Sequence, residues 1–405
     1  MVMAISSEVE NKFAPAFYAG TYKDIGGNMK KSLLCLLLAI AMVFSMTACG
    51  KEDEPVKETY RIVEITDAKS VDDQGFNQYT YEGIKQYCEE KGISYNYYMP
   101  TEQAKEAYLV QIETAVENGA EVICCPGYLF QPAVLEAQEL YPEVYFICID
   151  FEPTSEDYSV CKTGDKTVSV YFEEQESGFL AGYAAVKDGF TNLGFFGAMA
   201  VPSVKNFGYG YVYGAEVAAK ELGLAPGAIT MKYSYTGNFE IKGEYSTKAQ
   251  GWYETGTQVI FGCGAPQNVL KAAEDYNAAG GNGWAIGVDT DESSHSETVL
   301  TSAMKNLAPV VYQLLTQWGE GTFPGGEVKR YSVNENACAL PMATSRFTQF
   351  NAEQYEEIFN KLCNDEEFRA SLPVAADFAD DNMSPEDQAA RLSEILEIVS
   401  LEVIR

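Results

Sequence analysis

The sequence predicts an α/β protein of two lobes, each built on a doubly wound parallel sheet, with a hinged ligand cleft between them. Strand-like and helix-like patterns alternate from about residue 60 to residue 333, and such alternation is typical of parallel sheets covered by helices. The alternation occurs as two similar sets, and extended segments at 167–172 and 299–304 are predicted to cross between the lobes. A length of 405 residues also favours two cores over one.

The first set of elements is predicted from apolar runs, helical periodicity and glycines. Gly92 and Gly119 each follow a helical pattern, where glycine commonly ends a helix. The predicted elements are the strand Tyr60–Ile65, the helix Phe76–Lys91, the strand Ile93–Tyr98, the helix Glu102–Asn118, the strand Glu121–Cys125, the helix Gln131–Tyr141 and the strand Val144–Ile149.

The second set begins with the extended segment Thr167–Phe172. Its first helix, Glu173–Lys187, is rich in glycine and alanine, which predicts close packing against a neighbour. The later elements are the strand Leu193–Phe196, the helix Val204–Leu222, the strand Ile229–Tyr235, the helix Ile241–Glu254, the strand Val259–Gly262, the helix Pro266–Ala279, the strand Trp284–Val288, the segment Val299–Met304, the helix Ala308–Gly319 and the strand Val328–Val333. We expect residues 60–166 with about 290–320 to form the N-terminal lobe, and 167–289 with about 321–347 the C-terminal lobe.

The first 59 residues are interpreted as targeting sequence. In residues 29–48 two lysines precede the apolar run Leu33–Met46, which ends in small residues as in a secretory signal peptide. A transmembrane anchor fits less well, because the run is shorter than the roughly 20 residues that a spanning helix needs. Thr47–Gly50 resembles a bacterial lipobox, so Cys49 is predicted to carry a lipid and residues 49–59 to form a tether. Residues 1–28 are interpreted as a leader upstream of the true start at Met29.

The last part of the chain, residues 348–405, is predicted to be an acidic helical tail. Ser384 is followed by a proline and two acidic residues, which is a strong helix start. The residues Leu392, Ile395, Leu396 and Val399 then form an apolar stripe. We interpret this stripe as packing on the protein's own body in preference to a partner.

Composition excludes several classes of function. The net charge of −31 argues against nucleic acid or an anionic lipid surface as a partner. Cys124, Cys125 and Cys148 lie in apolar strands and are predicted to be reduced core residues. The one histidine, His295, lies in a polar run and is interpreted as a surface residue, which leaves no basis for a Ser-His-Asp triad or a multi-histidine metal site. No catalytic residue, cofactor or metal is predicted.

The stretch Ile65–Ile84 is the best candidate for a ligand site. A strand leads into it and a helix leaves it, and ligands of open α/β sheets bind beyond the carboxyl ends of strands. Asp67 offers an acceptor, Phe76 an aromatic face and Asn77 an amide that both donates and accepts. These groups suit a flat heteroaromatic ligand with polar edges. An ordinary strand–helix turn with solvated aspartates fits these residues equally well.

A series of short motifs extends the pattern along the chain. In order they are Asp72–Gln78, Tyr81–Gly83, Pro126-Gly127-Tyr128, Tyr141–Val144 with Asp150, Gly178–Gly182, Gly194–Gly197, Gly287–Asp289 and Thr301–Lys305. Together they resemble the basic membrane protein family of solute-binding lipoproteins, and within it the purine nucleoside receptors, over roughly residues 60–350.

The resemblance implies a type I periplasmic-binding-protein fold and a non-enzymatic receptor, lipid-anchored outside the cytoplasm. Such a receptor passes a nucleoside to an ABC permease and its ATPase. The residues that the resemblance assigns to the ligand are the base-stacking pair Phe76 and Phe239, the base-edge set Asp67, Asn77 and Asp150, and the ribose-binding set Gly264, Asp289 and Lys305. A buried ion pair of Asp289 and Lys305 between the lobes is an alternative interpretation.

Two departures from the family pattern concern the identity of the ligand. Gln74-Gly75 replaces Lys-Ser, and Cys263–Pro266 replaces a glycine-rich turn. A receptor for another flat polar ligand such as a flavin, and a ligand-sensing lipoprotein without transport, therefore remain alternatives. A nucleoside hydrolase or phosphorylase is a third; Asp72-Asp73 resembles part of a metal cluster, but no further Asp-rich motif supports it.

Overall fold

The computed structural model describes residues 58–67, 70–72 and 75–405. The predicted leader, the signal peptide, the lipid site at Cys49 and all but the last two residues of the tether lie outside the described residues. Within the described ranges, no helix has both the length and the apolar character needed to cross a membrane.

The strands of the described residues are numbered here in chain order. They are β1 (Ile62–Ile65), β2 (Tyr95–Tyr98), β3 (Val122–Pro126), β4 (Tyr145–Ile149), β5 (Thr167–Phe172), β6 (Asn192–Gly197), β7 (Ile229–Tyr235), β8 (Val259–Cys263), β9 (Trp284–Asp289), β10 (Val299–Lys305), β11 (Val328–Tyr331), β12 (Cys338–Ala339) and β13 (Val399–Val403).

The α-helices alternate with these strands until the tail. They are α1 (Phe76–Lys91), α2 (Lys105–Glu117), α3 (Gln131–Leu140), α4 (Glu174–Lys187), α5 (Pro202–Glu221), α6 (Gly243–Glu254), α7 (Gln267–Ala278), α8 (Leu307–Gly319), α9 (Ala352–Asn364), α10 (Glu366–Ala370) and α11 (Pro385–Ala390). The predicted helices and strands before residue 333 are all present, with ends shifted by three residues or fewer.

Each lobe is built on one sheet, as predicted. The first sheet has the order β11-β5-β4-β3-β1-β2 and is parallel throughout. The second has the order β12-β10-β9-β8-β6-β7-β13, and only β12 runs antiparallel to its neighbour. Helices on both faces bury the central strands, which explains their continuous apolar runs.

The chain crosses between the lobes after β5, after β10 and after β11. Helix α8 follows β10 of the second sheet but packs on α1 of the first lobe, where the Tyr312 hydroxyl donates to Glu90 at 2.6 Å. Backbone hydrogen bonds join neighbouring crossings: Glu173 N–H donates to Tyr331 O, and Asn306 N–H donates to Ala337 O, both at 2.9 Å. The three crossings therefore form one hinge region.

The predicted division of the chain between the lobes needs correction at three strands. Strands β5 and β11 belong to the first sheet, and β10 belongs to the second. Each of these strands ends at a crossing, so the helix or strand that follows it lies in the other lobe. Order along the sequence does not reveal which sheet such a strand joins, because membership depends on pairing with distant strands.

The prediction of close packing by the small residues of α4 is confirmed. A Cβ atom on Gly182 would lie 2.0 Å from the carbonyl oxygen of Tyr211 in α5, a separation that no side chain permits. The two helices thus lie backbone against backbone and cover the second sheet from one side.

The tail is only partly helical, contrary to prediction. Ser384 does cap a helix, accepting the Asp387 N–H at 3.1 Å, but α11 ends at Ala390 and a 3-10 turn follows. Val399 then begins β13, which pairs in parallel with β7 at the edge of the second sheet. The carboxylate of Glu216 in α5 accepts three backbone N–H groups just before and at the start of this strand, which fixes the extended conformation. Of the predicted apolar stripe, Leu392 and Val399 are buried on the protein's own body and Leu396 packs against it, as predicted, but Ile395 is exposed.

The cysteine prediction is confirmed and the histidine prediction is modified. Cys124, Cys125 and Cys148 are fully buried free thiols. His295 is half-buried, not exposed; it follows a 3-10 turn, and its N–H donates to the carbonyl oxygen of Glu292 at 2.9 Å.

Candidate functional site

The predicted site residues lie at the carboxyl ends of strands in both sheets. Asp67 follows β1 and Asp150 follows β4 in the first sheet, whereas Gly264 follows β8 and Asp289 ends β9 in the second. Asp150 and Asp289 both have left-handed backbone angles, with φ of 67° and 65°. This uncommon conformation turns the chain sharply at the strand end, where parallel sheets bind ligands.

Lys305 is the centre of an ion cluster that joins the lobes. Only 2% of its side chain is exposed, and its Nζ lies 2.6 Å from Asp150 Oδ2 and 3.1 Å from Glu174 Oε1. Asp150 extends from the first sheet, while Lys305 and Glu174 belong to β10 and α4 of the second lobe. The alternative interpretation paired Lys305 with Asp289. The structure instead pairs Lys305 with Asp150 and Glu174, and the charge of Asp289 adds to theirs.

The cluster keeps the lysine charged. Burial opposes the ammonium, but Asp150, Glu174 and Asp289 outweigh burial and raise the pKa of Lys305. Burial raises the pKa of Asp150 to about 6, with a contribution from Glu174 and against the lowering effect of Lys305. The second carboxylate oxygen of Asp150, Oδ1, is buried and has no hydrogen-bond partner among the described residues. A buried carboxylate oxygen of this kind can accept a further hydrogen bond.

Three phenylalanine rings surround the ammonium of Lys305. The Nζ atom lies 5.3 Å from the ring centre of Phe76, 5.1 Å from that of Phe172 and 5.9 Å from that of Phe207. Phe172 and Phe207 are buried, but Phe76 is half-buried at the start of α1. Phe76 is thus the ring of the three with a face accessible to a ligand.

Asp67 and Asn77 form a reciprocal pair. The Asp67 N–H donates to Asn77 Oδ1 at 3.1 Å, and Asn77 Nδ2 donates to Asp67 Oδ1 at 2.8 Å. Asn77 is completely buried, whereas Asp67 is half-buried. The structure brings both predicted residues together, and Asn77 orients the carboxylate of Asp67.

Gly264 and Phe239 are in direct contact. Gly264 has φ of 92°, and a Cβ atom there would lie 2.8 Å from Ala198 Cβ and 2.9 Å from a ring carbon of Phe239. Glycine is therefore required at this position both for the backbone turn and for the space that Phe239 occupies. The contact connects the loops after β6, β7 and β8 into one wall of the second lobe.

The two lobes also touch through a pair that the sequence prediction did not assign to the site. The hydroxyl of Tyr128, which follows β3, donates to Met199 Sδ, which follows β6, at 3.0 Å. The sequence places Tyr128 only within a motif, because nothing in the local pattern shows which residue faces it across the lobes.

Glu174 is the main site residue that the prediction missed. It begins α4 directly after the first crossing and is 3% exposed. Asn206 Nδ2 donates to Glu174 Oε2 at 3.0 Å. A carboxylate next to a predicted crossing and at the start of a helix of small residues was the available signal, since an acid there must find a cation when the helix is buried.

Comparison with protein families gives one matching model. Residues 61–369 match the family Bmp, described as ABC transporter substrate-binding protein, PnrA-like. All the predicted ligand residues from Asp67 to Lys305 lie within the matched range, and the last 36 residues, 370–405, lie beyond it.

The chain is also similar to individual proteins over most of its length. The ABC transporter nucleoside-binding protein BmpA of Lactococcus lactis subsp. cremoris is 28% identical over 360 residues, covering 82% of this chain and 98% of that protein. Basic membrane protein A of Borreliella burgdorferi is 26% identical over 342 residues, covering 84% and 95%. An uncharacterized lipoprotein of Pyrococcus abyssi is 24% identical over 299 residues, covering 72% and 71%.

Solved structures support the same fold. An ABC transporter solute-binding protein from Aeropyrum pernix K1 has a TM-score of 0.61 at 21% identity, covering 83% of this chain and 85% of that one. An ABC transporter solute-binding protein from Conexibacter woesei has a TM-score of 0.61 at 17% identity, covering 78% and 99%. These likenesses confirm the predicted fold of the periplasmic-binding-protein type with two parallel-sheet lobes.

Proposed function

The chain belongs to the Bmp family of PnrA-like ABC transporter substrate-binding proteins, and from this premise we propose that it binds a purine nucleoside between its lobes and delivers it to a permease. The observation that supports this most directly is the Lys305–Asp150 pair at 2.6 Å, which joins the lobes and leaves Asp150 Oδ1 buried without a partner among the described residues. A ligand that donates a hydrogen bond to this oxygen stabilises the closed arrangement.

The base of the nucleoside would lie between aromatic rings. Phe76 provides an accessible ring from the first lobe, and Phe239 provides one from the wall of the second lobe. Stacking on aromatic side chains contributes about 1–3 kcal/mol per base. Asp67, oriented by Asn77, and Asp150 supply acceptors for N–H groups on the base edge. The ring-and-acceptor arrangement is selective for a flat heterocycle.

The ribose would be held by the second lobe. Asp289 ends β9 and accepts hydroxyl protons, while Lys305 donates to ribose oxygens. Gly264 lets Phe239 pack against the turn after β8, which places the stacking ring next to the ribose-binding residues. A ligand that contacts both halves bridges the cleft, which is how a hinged receptor couples binding to closure.

Phe76→Ala is expected to weaken nucleoside binding by about 1–3 kcal/mol, because it removes one stacking face. The melting temperature is expected to change little, since the ring is only half-buried. Calorimetric titration with adenosine and guanosine measures the affinity. Phe190→Ala is the matched control: this ring is also half-buried but precedes β6, at the amino end of a strand, whereas the site residues follow the carboxyl ends. Equal affinities for Phe76→Ala and Phe190→Ala would place the ligand elsewhere.

Binding is expected to weaken as the pH falls below about 6, where Asp150 becomes protonated. A protonated Asp150 loses its capacity as an ionised acceptor, so affinity falls about tenfold for each further pH unit. The sign follows from the raised pKa: the ionised form that the ligand needs is fully present only above it. Asp150→Asn is expected to bind more weakly and to lose this dependence. A pH profile that Asp150→Asn leaves unchanged would contradict the assignment.

The class of the ligand can be identified from any molecule that the purified protein retains. Native mass spectrometry of the purified chain, followed by mass analysis of the released molecule, is expected to give the mass of a purine nucleoside. A released flavin would overturn the proposal in favour of a receptor for a different flat ligand. Titration of ligand-free protein with the identified molecule checks that the retained compound binds reversibly.

We also propose that the protein is held at the outer face of the membrane by a lipid on Cys49. The support is the lipobox-like sequence Thr47–Gly50 after an apolar run. Cys49→Ala is expected to move the protein from the membrane fraction to the soluble fraction of cells. Cys35→Ala, a cysteine within the apolar run, is the control and is expected to leave fractionation unchanged. Membrane retention of Cys49→Ala would contradict the anchor.

A further inference from the structure

The C-terminal tail is hydrogen-bonded to Asn206 of α5, which is itself hydrogen-bonded to Glu174 of the ion cluster. The Ala375 N–H donates to Asn206 Oδ1 at 2.8 Å. Ala375 begins a 3-10 turn in the part of the chain that lies beyond the family match at residue 369. Asn206 lies in the first turns of α5, close to the carboxyl end of β6. The tail therefore reaches the edge of the second sheet where the candidate site is located.

Asn206 is connected to Lys305 through Glu174. Its Nδ2 donates to Glu174 Oε2 at 3.0 Å, and Glu174 Oε1 lies 3.1 Å from Lys305 Nζ. An amide has distinct donor and acceptor ends, so the Ala375 N–H selects the orientation in which Asn206 donates to Glu174. Glu174 is 3% exposed, and solvent therefore does not compete for its oxygens.

The tail segment is fixed on α5 around this bond. The ring of Phe378 packs edge-on against Tyr209 with 5.5 Å between ring centres. Gln388 Oε1 accepts a hydrogen bond from Lys205 Nζ at 2.8 Å. These contacts flank Asn206 along the helix and hold the Ala375 N–H in place.

We propose that the tail positions the ligand-binding lysine through the sequence of contacts Ala375–Asn206–Glu174–Lys305, with Asn206 as the positioning residue. The inference rests on the proposed function, since it assigns Lys305 to the ligand. Glu174 and Asp150 hold the ammonium from the two lobes at 3.1 Å and 2.6 Å. When Glu174 loses the orientation given by Asn206, the ammonium shifts toward Asp150 and away from the ribose. Neither Ala375 nor Asn206 needs to touch the ligand.

Removing one backbone N–H tests the first contact. Ala375→Pro replaces this N–H with a ring methylene that also displaces Asn206 Oδ1. The backbone accepts proline because Ala375 is the first residue of its turn and Val374 is extended, with φ −120° and ψ 162°. We expect nucleoside affinity to fall about fivefold through the loss of this hydrogen bond. Ala352→Pro is the matched control, because Ala352 also begins a helix after an extended residue, Asn351, and lies exposed away from Asn206. Its affinity is expected to equal that of the unmodified protein.

Asn206→Asp gives a signature that a purely structural role would not produce. The aspartate still accepts the Ala375 N–H but places a second carboxylate against Glu174, so the pair repels when both are ionised and shares a proton when one is not. The loss of affinity relative to the unmodified protein is therefore expected to be larger near pH 8 than near pH 5. An equal loss at both pH values would contradict positioning through Glu174.

A readout without ligand separates this inference from the proposed function. Acetic anhydride labelling of the ligand-free protein, quantified on the peptide that contains Lys305, measures how firmly the ammonium is held. Asn206→Leu is expected to raise labelling of Lys305 several-fold relative to Lys187, which is paired with Glu221 at the other end of α4. Unchanged labelling would overturn the inference. Failure of the unmodified protein to bind any nucleoside would overturn the proposed function instead, while the labelling still decides the contact pathway.

Discussion

Replacing Lys305 with methionine is expected to reduce nucleoside affinity by about 100-fold or more, which is the scale for breaking a buried, hydrogen-bonded charge pair. The variant keeps the apolar stem among Phe76, Phe172 and Phe207 but removes the ammonium. Asp150 and Glu174 are then buried without their cation. Their mutual repulsion favours a protonated form, so the acceptor on Asp150 is lost together with the donor on Lys305.

The control for this change is Lys187→Met. Lys187 pairs with Glu221 at 2.8 Å and is 14% exposed, but it lies in the last turn of α4, far along the helix from Glu174. Calorimetry is expected to show normal affinity for Lys187→Met and barely measurable binding for Lys305→Met. If both variants bind as tightly as the unmodified protein, Lys305 stabilises the closed lobes without contacting ligand.

Glu216→Ala is expected to lower the free energy of unfolding by about 3 kcal/mol, because three backbone N–H groups, two of them of buried residues, lose their acceptor. Glu216 has no exposed surface and accepts from the backbone of Glu397, Ile398 and Val399 at 2.8–3.2 Å. These bonds hold the entry to β13, so their loss releases the edge strand of the second sheet. Chemical denaturation monitored by circular dichroism measures the change.

Two comparisons make this stability prediction specific. Glu216→Gln keeps one oxygen acceptor and is expected to lose less stability, whereas Glu402→Ala removes an exposed carboxylate from β13 and is expected to lose almost none. Burial opposes the charge of Glu216, but the three N–H groups and Lys220 outweigh burial and lower its pKa. Its contribution is therefore present above the usual glutamate pKa and is lost as the pH falls through the lowered one. Equal stability of all three variants would contradict the role of Glu216.

The local elements of the fold could be predicted because their signals lie within a few residues. Helix α1 has the predicted bounds Phe76–Lys91, and Gly92 ends it in the left-handed conformation. The Ser384 cap was predicted correctly for the same reason. Strand β13 was predicted as part of a helix, because its conformation is set by Glu216 and by pairing with β7, both more than 160 residues away in the sequence.

For the candidate site, the positions of individual residues could be predicted, but their contacts with one another could not. The strand-end position of Asp150 and Asp289 follows from the order of elements. The partner of Lys305 does not, because the crossings place Glu174 of α4 beside the end of β10 only once both sheets have formed. Asn206 was not predicted for the same reason: its hydrogen bond with the tail joins it to a residue 169 positions away.

The most direct test of nucleoside binding by the second lobe is one calorimetric series on the ligand-free protein. The titrants are adenosine and guanosine, the matching deoxynucleosides and the free bases. A site that satisfies ribose hydroxyls leaves its own polar groups unpaired when they are absent, so the nucleoside is expected to bind much better than the base and better than the deoxynucleoside. Asp289→Asn is expected to reduce that preference. Equal affinity for nucleoside and base would contradict ribose recognition by Asp289 and Lys305 and would favour a different flat ligand.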